Sequence, residues 1–222
     1  MTPERINELA RFYSGSLLDD CAKFWFPRSL DHEHGGYLHC LDRDGSVLDT
    51  DKSVWAQGRM AWMLATLHNT VERRAEWLEW SKLGLDFLDR HCFDTDGRMY
   101  FHVTRDGQPI RKRRYAFSES FAAIAHAAYA KAVGAARSAH RAHELFDRFV
   151  AWNFPPGKIP PKFTDVRQMI GMGPRMITLV TAQELRANLG EDAKLTLWID
   201  RCIEEIERWF VKCALSEGAN TK

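Results

Sequence analysis

The chain has 222 residues, of which 45% are hydrophobic and 12% aromatic, enough to form the packed core of one sizeable domain. Thirty-one basic and thirty acidic residues give a formal net charge of +1, which excludes the strong field expected of a nucleic-acid-binding or membrane-surface protein. Five cysteines without a C-x-x-C pair predict free thiols in the cytoplasm, and neither a signal peptide nor a run of eighteen apolar residues is present.

The apolar periodicity predicts seven helices in chain order. The first begins after Thr2, with Pro3 at its first position, and ends near Pro27. The others are expected at about residues 51 or 53 to 68, 72–91, 116–133, 138–152, 174–186 and 193–212. Residues 1–215 are predicted to form part of a single domain, and 216–222 a frayed polar tail.

Two short β-hairpins are predicted between helices. Arg-Asp-Gly turns lie at 43–45 and 105–107, each within a stretch that alternates apolar and polar residues and precedes a helix. A period near sixty residues, made of an outer helix, a hairpin and an inner helix, indicates a helical-hairpin array that stacks as a solenoid or closes as a ring. Seven helices are too few for six units, so the sequence predicts an all-α chain of the α/α-toroid type that forms an incomplete barrel.

A stripe of charged and aromatic residues begins the second helix. Lys52, Trp55 and Arg59 recur at helical spacing, and sixty residues later Tyr115 and Glu119 begin the fourth helix in the same way. Trp55 and Tyr115 are candidates to stack on a sugar, although aromatic residues at this spacing are also typical of a core. Arg59 is a candidate ligand-binding cation, or alternatively the partner of Glu119 in an ion pair.

Three ordered motifs resemble the N-acylglucosamine 2-epimerase family. They are Lys52 to Trp62 (KSVWAQGRMAW), Tyr115 to Phe121 (YAFSESF), and Met176-Ile177 followed by Ala182 to Arg186 (AQELR), with Arg175 where proline is usual. The resemblance implies an (α/α)6 barrel that epimerises or isomerises sugars at C2 in its funnel, without a cofactor or metal. It further implies that Arg59 and Glu119 are catalytic, and that Lys52, Trp55, Gln57, Tyr115 and Met176 bind the substrate.

The chemistry implied by the resemblance requires two acid/base groups, one on each face of C2. The family's two catalytic histidines lie in its second half, and none of the nine histidines here has the matching sequence context. The chain is therefore expected to supply residues that bind the sugar and stabilise negative charge, but not those that transfer the proton. Two alternatives are a truncated carbohydrate-binding or regulatory protein and a helical-repeat scaffold that binds protein.

The last helix also predicts association. Ile199, Ile203, Ile206 and Phe210 would have no neighbour in an open half-ring, and large exposed apolar patches are rare on monomers. A homodimer is therefore expected. A small-molecule sugar is the other expected partner, with neither nucleic acid nor membrane.

Overall fold

The structure is a computed structural model that describes residues 1–154, 158–159, 166 and 169–212. Within these ranges the chain is mostly helical, with a few short strands, which confirms the all-α prediction. The helices are α1 (Pro3–Gly15), α2 (Ala22–Ser29), α3 (Val54–Thr70), α4 (Ala75–His91), α5 (Ser118–Val133), α6 (Ala136–Asn153), α7 (Met172–Leu189) and α8 (Ala193–Ile206). The predicted tail at 216–222 lies outside the described residues.

Seven helical rods occupy the predicted places. A π-helical segment, Ser16–Cys21, joins α1 to α2 without a break, and a second, Glu207–Lys212, extends α8. Thr2 caps α1 by accepting a hydrogen bond from the Arg5 N–H, as the Thr-Pro start suggests. None of the described helices has both the length and the apolar character needed to cross a bilayer.

Two rows of helices form the body of the molecule. Helices α3, α5 and α7 pack side by side as an inner row, and α4, α6 and α8 cover them as an outer row. Ten of the sixteen residues of α5 are buried, many of them alanines, so this helix is central, as its small side chains predict. Gly58 lets α3 approach α5 closely, since a Cβ there would lie 2.8 Å from the Cβ of Phe121.

One prediction about the last helix is wrong. Ile199 does not lie on an open flank: it is only 7% exposed and belongs to the main core with Leu195 and Cys202. Ile203, one turn later, is 42% exposed. Because α8 turns Ile199 onto α7, the open surface is smaller than the spacing of the isoleucines suggested.

Five short strands lie at one end of the rows. β1 (Cys40–Leu41) pairs with β2 (Val47–Asp49), and β3 (Lys52–Ser53) pairs with β4 (His102–Val103), which pairs with β5 (Pro109–Arg111). All pairings are antiparallel, with Lys52 opposite Val103 and Ser53 opposite His102. Since β3 runs directly into α3, the second hairpin is held at the mouth of the first inner helix.

The turns of the two hairpins have the same backbone hydrogen bonds at an offset of 62 residues. The N–H of Gly45 donates to the carbonyl of Asp42 at 2.9 Å, and the N–H of Gly107 donates to that of Thr104 at 3.0 Å. Both glycines have positive φ, 89° and 93°, which explains why glycine ends each Arg-Asp-Gly turn. The structure therefore confirms the predicted pair of hairpins.

Lys52 connects the two hairpins from inside the protein. Its fully buried ammonium donates to Asp31 Oδ2 at 2.8 Å and to the carbonyls of Gly35 and Arg105, each at 2.7 Å. It also lies 4.3 Å from the ring centre of Phe87 on α4. Because an ammonium has three N–H donors, none is left for a substrate. This placement argues against the predicted contact between Lys52 and a sugar.

Asp31 is the fully buried counterion of this centre. It accepts hydrogen bonds from Lys52 and, at 2.9 Å, from Arg105 Nε. Burial alone would raise the pKa of Asp31, but these hydrogen bonds outweigh it and hold the pKa far below the ordinary value. The group therefore remains a carboxylate, and the centre remains an ion pair.

We expect Lys52→Met to lower the free energy of unfolding by about 3–5 kcal/mol, because it leaves a buried carboxylate short of a partner. The matched control is Lys82→Met, whose salt bridge with Asp86 is half exposed and should contribute less than about 1 kcal/mol. Urea denaturation of both variants measures the difference. Equal losses in the two variants would contradict a structural role for Lys52.

Candidate functional site

Gln57 binds hairpin backbone rather than solvent. Its Oε1 accepts from the N–H of Tyr37 at 2.7 Å, and its Nε2 donates to the carbonyl of Tyr37 at 2.8 Å. The amide thus takes the place of a neighbouring strand, and the residue is fully buried. Gln57 was predicted to bind the substrate, but both polar atoms of its side chain are bonded to the backbone of Tyr37.

Glu119 makes the equivalent contact in the second repeat. Its Oε1 accepts from the N–H of Met99 at 2.8 Å, and both members of this pair lie 62 residues after Gln57 and Tyr37. The offset of 60 that paired Arg59 with Glu119 in the sequence is therefore two residues short. Arg59 and Glu119 form no ion pair, because Arg59 is exposed and Glu119 is buried.

The hydrogen bond that Gln57 donates to the carbonyl of Tyr37 has no equivalent at Glu119. Oε2 is buried without a hydrogen-bond partner in the described structure. Burial raises the pKa of Glu119, and the hydrogen bond from Met99 only partly offsets this. A protonated Glu119 has one acceptor and one donor, as the Gln57 amide uses toward Tyr37, so burial favours the neutral acid.

Five aromatic rings form a continuous surface where α3 and α5 begin. We define this aromatic wall as Trp55, Phe101, Tyr115, Phe117 and Phe121. Trp55 contacts Phe101 and Phe121 with ring centres 5.1 and 5.3 Å apart, and Tyr115 stacks on Phe117 at 5.2 Å with planes 10° apart. The rings are half-buried, so each has a surface available for contact.

The orientation of Trp55 is fixed by its indole N–H. Nε1 donates to Ser118 Oγ at 3.0 Å, and that hydroxyl donates to the carbonyl of Tyr100 at 2.9 Å. Ser118 is the first residue of α5, so the bond joins the mouths of the two inner helices. These two hydrogen bonds therefore fix the orientation of the Trp55 ring within the wall.

Two exposed arginines lie over the aromatic wall. The guanidinium of Arg59 is 4.5 Å from the ring centre of Phe121, and that of Arg113 is 3.7 Å from Phe101 and 5.1 Å from Trp55. In the described part of the chain Arg59 makes no hydrogen bond or ion pair, so its donors can reach a ligand. Aromatic faces beneath free guanidinium groups suit a neutral or anionic polar ligand with apolar faces.

Helix α7 completes the surface from the other side. A Cβ added to Gly173 would lie 3.8 Å from Phe117, and Met176, one turn later, is 49% exposed. Deeper in the row, Trp62 Nε1 donates to Glu184 Oε2 at 3.0 Å and joins α3 to α7. The predicted residues Trp55, Arg59, Tyr115 and Met176 thus share one face of the inner row.

Sequence reasoning missed Phe101, Phe117 and Arg113. The offset of 62 could have identified Phe117, because it is the repeat equivalent of Trp55. No sequence signal identifies Phe101 or Arg113, whose places depend on how β4 and β5 pair.

The part of the chain that forms this site matches a known protein family. Residues 36–154, more than half of the chain, match the family model described as N-acylglucosamine 2-epimerase (GlcNAc 2-epimerase). The chain belongs to the N-acylglucosamine 2-epimerase family. The matched segment contains both hairpins, the aromatic wall and Arg59, and the resemblance inferred from the three motifs is confirmed.

Two members of the N-acylglucosamine 2-epimerase family illustrate how far the similarity extends. The bovine (Bos taurus) N-acylglucosamine 2-epimerase is 34% identical over 202 residues, which cover 86% of this chain and 48% of the bovine protein. The human (Homo sapiens) enzyme is 39% identical over 142 residues, or 62% of this chain and 33% of the human protein. The chain thus spans about a third to a half of the length of these relatives.

A solved structure supports the fold. The cellobiose 2-epimerase of Bacillus thermoamylovorans B4167 superposes with a TM-score of 0.76 at 21% sequence identity, covering 90% of this chain and 55% of that one. The chain therefore has the (α/α)6-barrel type of fold in an incomplete form, as predicted.

We expect Glu119→Gln to raise the free energy of unfolding by about 1–2 kcal/mol near pH 8, because the amide satisfies a buried position where a charge is unfavourable. Because the pKa of Glu119 is raised in the folded state, the stability contributed by the protonated side chain is fully present below the unfolded value of 4.5. This stability is lost as pH rises through the folded value. The gain from the substitution should therefore vanish near pH 4.5. Urea denaturation as a function of pH measures it.

Glu144→Gln is the control with the opposite sign. The hydrogen bond from Arg141 lowers the pKa of Glu144, so this carboxylate contributes stability above its unfolded pKa. The control should lose stability near pH 8. A gain for Glu119→Gln that does not change with pH would contradict a neutral Glu119.

Proposed function

We propose that this chain binds an aldose sugar of the N-acylglucosamine or N-acylmannosamine type, or a related aldose, on the aromatic wall. We further propose that it serves epimerisation or isomerisation at C2. The observation that carries the proposal is the wall with the free guanidinium of Arg59 above it. Membership of the N-acylglucosamine 2-epimerase family supports the same chemistry. The free thiols of the described cysteines support a reducing, cytoplasmic location.

Each group at the wall has a physical role in this proposal. The faces of Trp55 and Tyr115 cover the apolar faces of a sugar ring and exclude water. Loss of the C2 proton from the open-chain aldose places negative charge on O1 and O2 as an enediolate. The fixed donors of Arg59 stabilise that charge more than they stabilise the neutral sugar, which lowers the barrier.

Proton transfer itself requires an acid/base group on each face of C2. The residues of the wall are rings beneath guanidinium groups, and the buried Glu119 holds Met99 instead of facing them. Since the chain spans a third to a half of its relatives, we propose that other residues complete the catalytic pair. Sugar binding without turnover by these 222 residues is the second candidate function, favoured by the same geometry.

The test is proton NMR of N-acetylmannosamine and N-acetylglucosamine in D2O with the purified chain. Line broadening shows binding, and loss of the C2 proton signal shows exchange. Arg59→Ala should slow exchange by about 10²–10³-fold, the usual effect of removing one donor to a developing oxyanion. The matched control is Arg28→Ala, which removes another guanidinium that lies over a phenylalanine, Phe24, on α2.

The outcomes separate the two candidates. Exchange that Arg59→Ala slows about 10²–10³-fold and Arg28→Ala leaves unchanged supports the enzyme. Broadening without exchange, sensitive to Tyr115→Ala, supports binding alone. Neither broadening nor exchange with either sugar would overturn the proposed function.

We also propose that the chain forms a homodimer through the open side of α7 and α8. Val180 of α7 is 55% exposed and Leu197 of α8 is 67% exposed, and burial of such side chains favours association. Leu197→Glu is expected to halve the mass measured by light scattering. Leu48→Glu, at a site 68% exposed on the strand β2, is the control and should leave the mass unchanged. A wild-type monomer would contradict the proposal.

A further inference from the structure

A groove on the outer surface, away from the aromatic wall, contains an unexplained histidine. The groove lies between α4 and α6, has α5 as its floor, and encloses about 620 Å³. His126 of α5 lines it and is only 4% exposed, yet neither ring nitrogen has a hydrogen-bond partner in the described structure. Nε2 lies 3.5 Å from Asp89 Oδ2, within ion-pair distance, and Asp89 also accepts a hydrogen bond from Arg141.

The fold does not require a histidine at this position. The residue 62 positions earlier, at the equivalent place on α3, is Leu64, which is fully buried in the main core. A leucine thus satisfies the packing of one repeat, whereas the second repeat buries an imidazole at a cost in desolvation. Buried polar groups without partners occur where a ligand supplies the partner or where stability is lost.

The charges around the groove favour an anion. Lys82 pairs with Asp86, and Arg141 pairs with Asp89 and Glu144, so these acidic side chains already have partners. Two further arginines line the groove, Arg90 of α4 and Arg137 of α6. Within the described residues neither arginine has an ion-pair partner, which leaves the groove with unneutralised positive charge.

The first turn of α6 adds backbone donors to this charge. No side chain caps the helix at Ala135, and Arg137 and Ser138 of the first turn line the groove. Uncapped N–H groups and the positive end of the helix dipole bind phosphate groups well, and a guanidinium binds phosphate oxygens in a bidentate manner. Among the described residues, no three His, Cys, Asp or Glu side chains form a metal site.

We propose that the groove between α4 and α6 is a second binding site, for a small molecule that bears a phosphate group on a hydroxylated body. Arg137, Arg90 and the start of α6 bind the phosphate, and His126 donates to it or to the adjoining oxygen. The volume exceeds that of inorganic phosphate and is in the range of small-molecule sites. The remaining lining is polar apart from Leu85, and polar side chains such as Tyr129 and His140 suit hydroxyl groups.

The test is calorimetric titration of the full chain with glucose 6-phosphate, inorganic phosphate and glucose. We expect saturable binding of glucose 6-phosphate and weaker binding of inorganic phosphate. Any binding of glucose should be unaffected by substitutions in the groove. Arg137→Ala should weaken the affinity for glucose 6-phosphate at least tenfold. The matched control, Arg73→Ala, removes an exposed arginine just before α4 and should leave the affinity unchanged.

His126→Leu tests the role of the imidazole with the residue that the first repeat uses. We expect this variant to melt at a higher temperature, because a buried imidazole without partners is removed, and to lose affinity for glucose 6-phosphate. The imidazole signals of His126 in the proton NMR spectrum are those that are absent from this variant. We expect these signals to shift when the wild-type chain is titrated with glucose 6-phosphate. If His126→Leu does not fold, Arg90→Ala and Arg137→Ala still decide the question.

Three results would overturn the proposal: no saturable binding of glucose 6-phosphate, an unchanged affinity in Arg137→Ala, or an unchanged affinity in a folded His126→Leu. The experiments distinguish a failure of ligand binding in the groove from a failure of sugar binding on the aromatic wall. Arg59→Ala should leave groove binding unchanged, and Arg137→Ala should leave the NMR line broadening of N-acetylmannosamine unchanged.

Discussion

The buried ammonium of Lys52 is the contact on which the mouth of the inner row depends. It joins the loop before the first hairpin, the turn of the second hairpin and the outer helix α4. It lies two residues before α3 begins at Val54. A buried ion pair is retained at a cost in desolvation, and its geometry is specific because every donor needs an acceptor. With Lys52 in place, β3 pairs with β4, and Phe101 is brought against Trp55.

The sequence predicted the helices because their apolar stripes are long and the glycine turns between them are distinctive. It could not separate residues that bind the hairpins from residues that face the funnel. Lys52, Gln57 and Arg59 are all polar residues at the start of one helix, but only Arg59 is exposed. Position on the helix decides this: Gln57 faces the Tyr37 backbone, whereas Arg59 is turned by about 200° from it at 100° per residue.

The repeat offset shows why small errors of register matter for a site. An offset of 60 makes Arg59 the equivalent of Glu119 and suggests an ion pair. The observed offset of 62 instead matches Gln57 with Glu119 and Trp55 with Phe117. Two residues change the face of a helix by more than half a turn, so the shorter offset exchanges a buried structural acid for a ligand-facing group.

The two repeats have the same backbone arrangement. At two positions the second repeat has a titratable residue where the first repeat has a neutral one. Gln57 corresponds to Glu119, and Leu64 corresponds to His126. Both changes place a titratable group in a buried position, which a repeat selected only for stability would avoid. Glu119 still serves the fold, since its Oε1 accepts from the backbone of Met99. His126 makes no such bond and lines an open groove instead. The internal repeat therefore acts as its own control, and it separates His126, which makes no hydrogen bond to the fold, from Glu119, which holds the backbone of Met99.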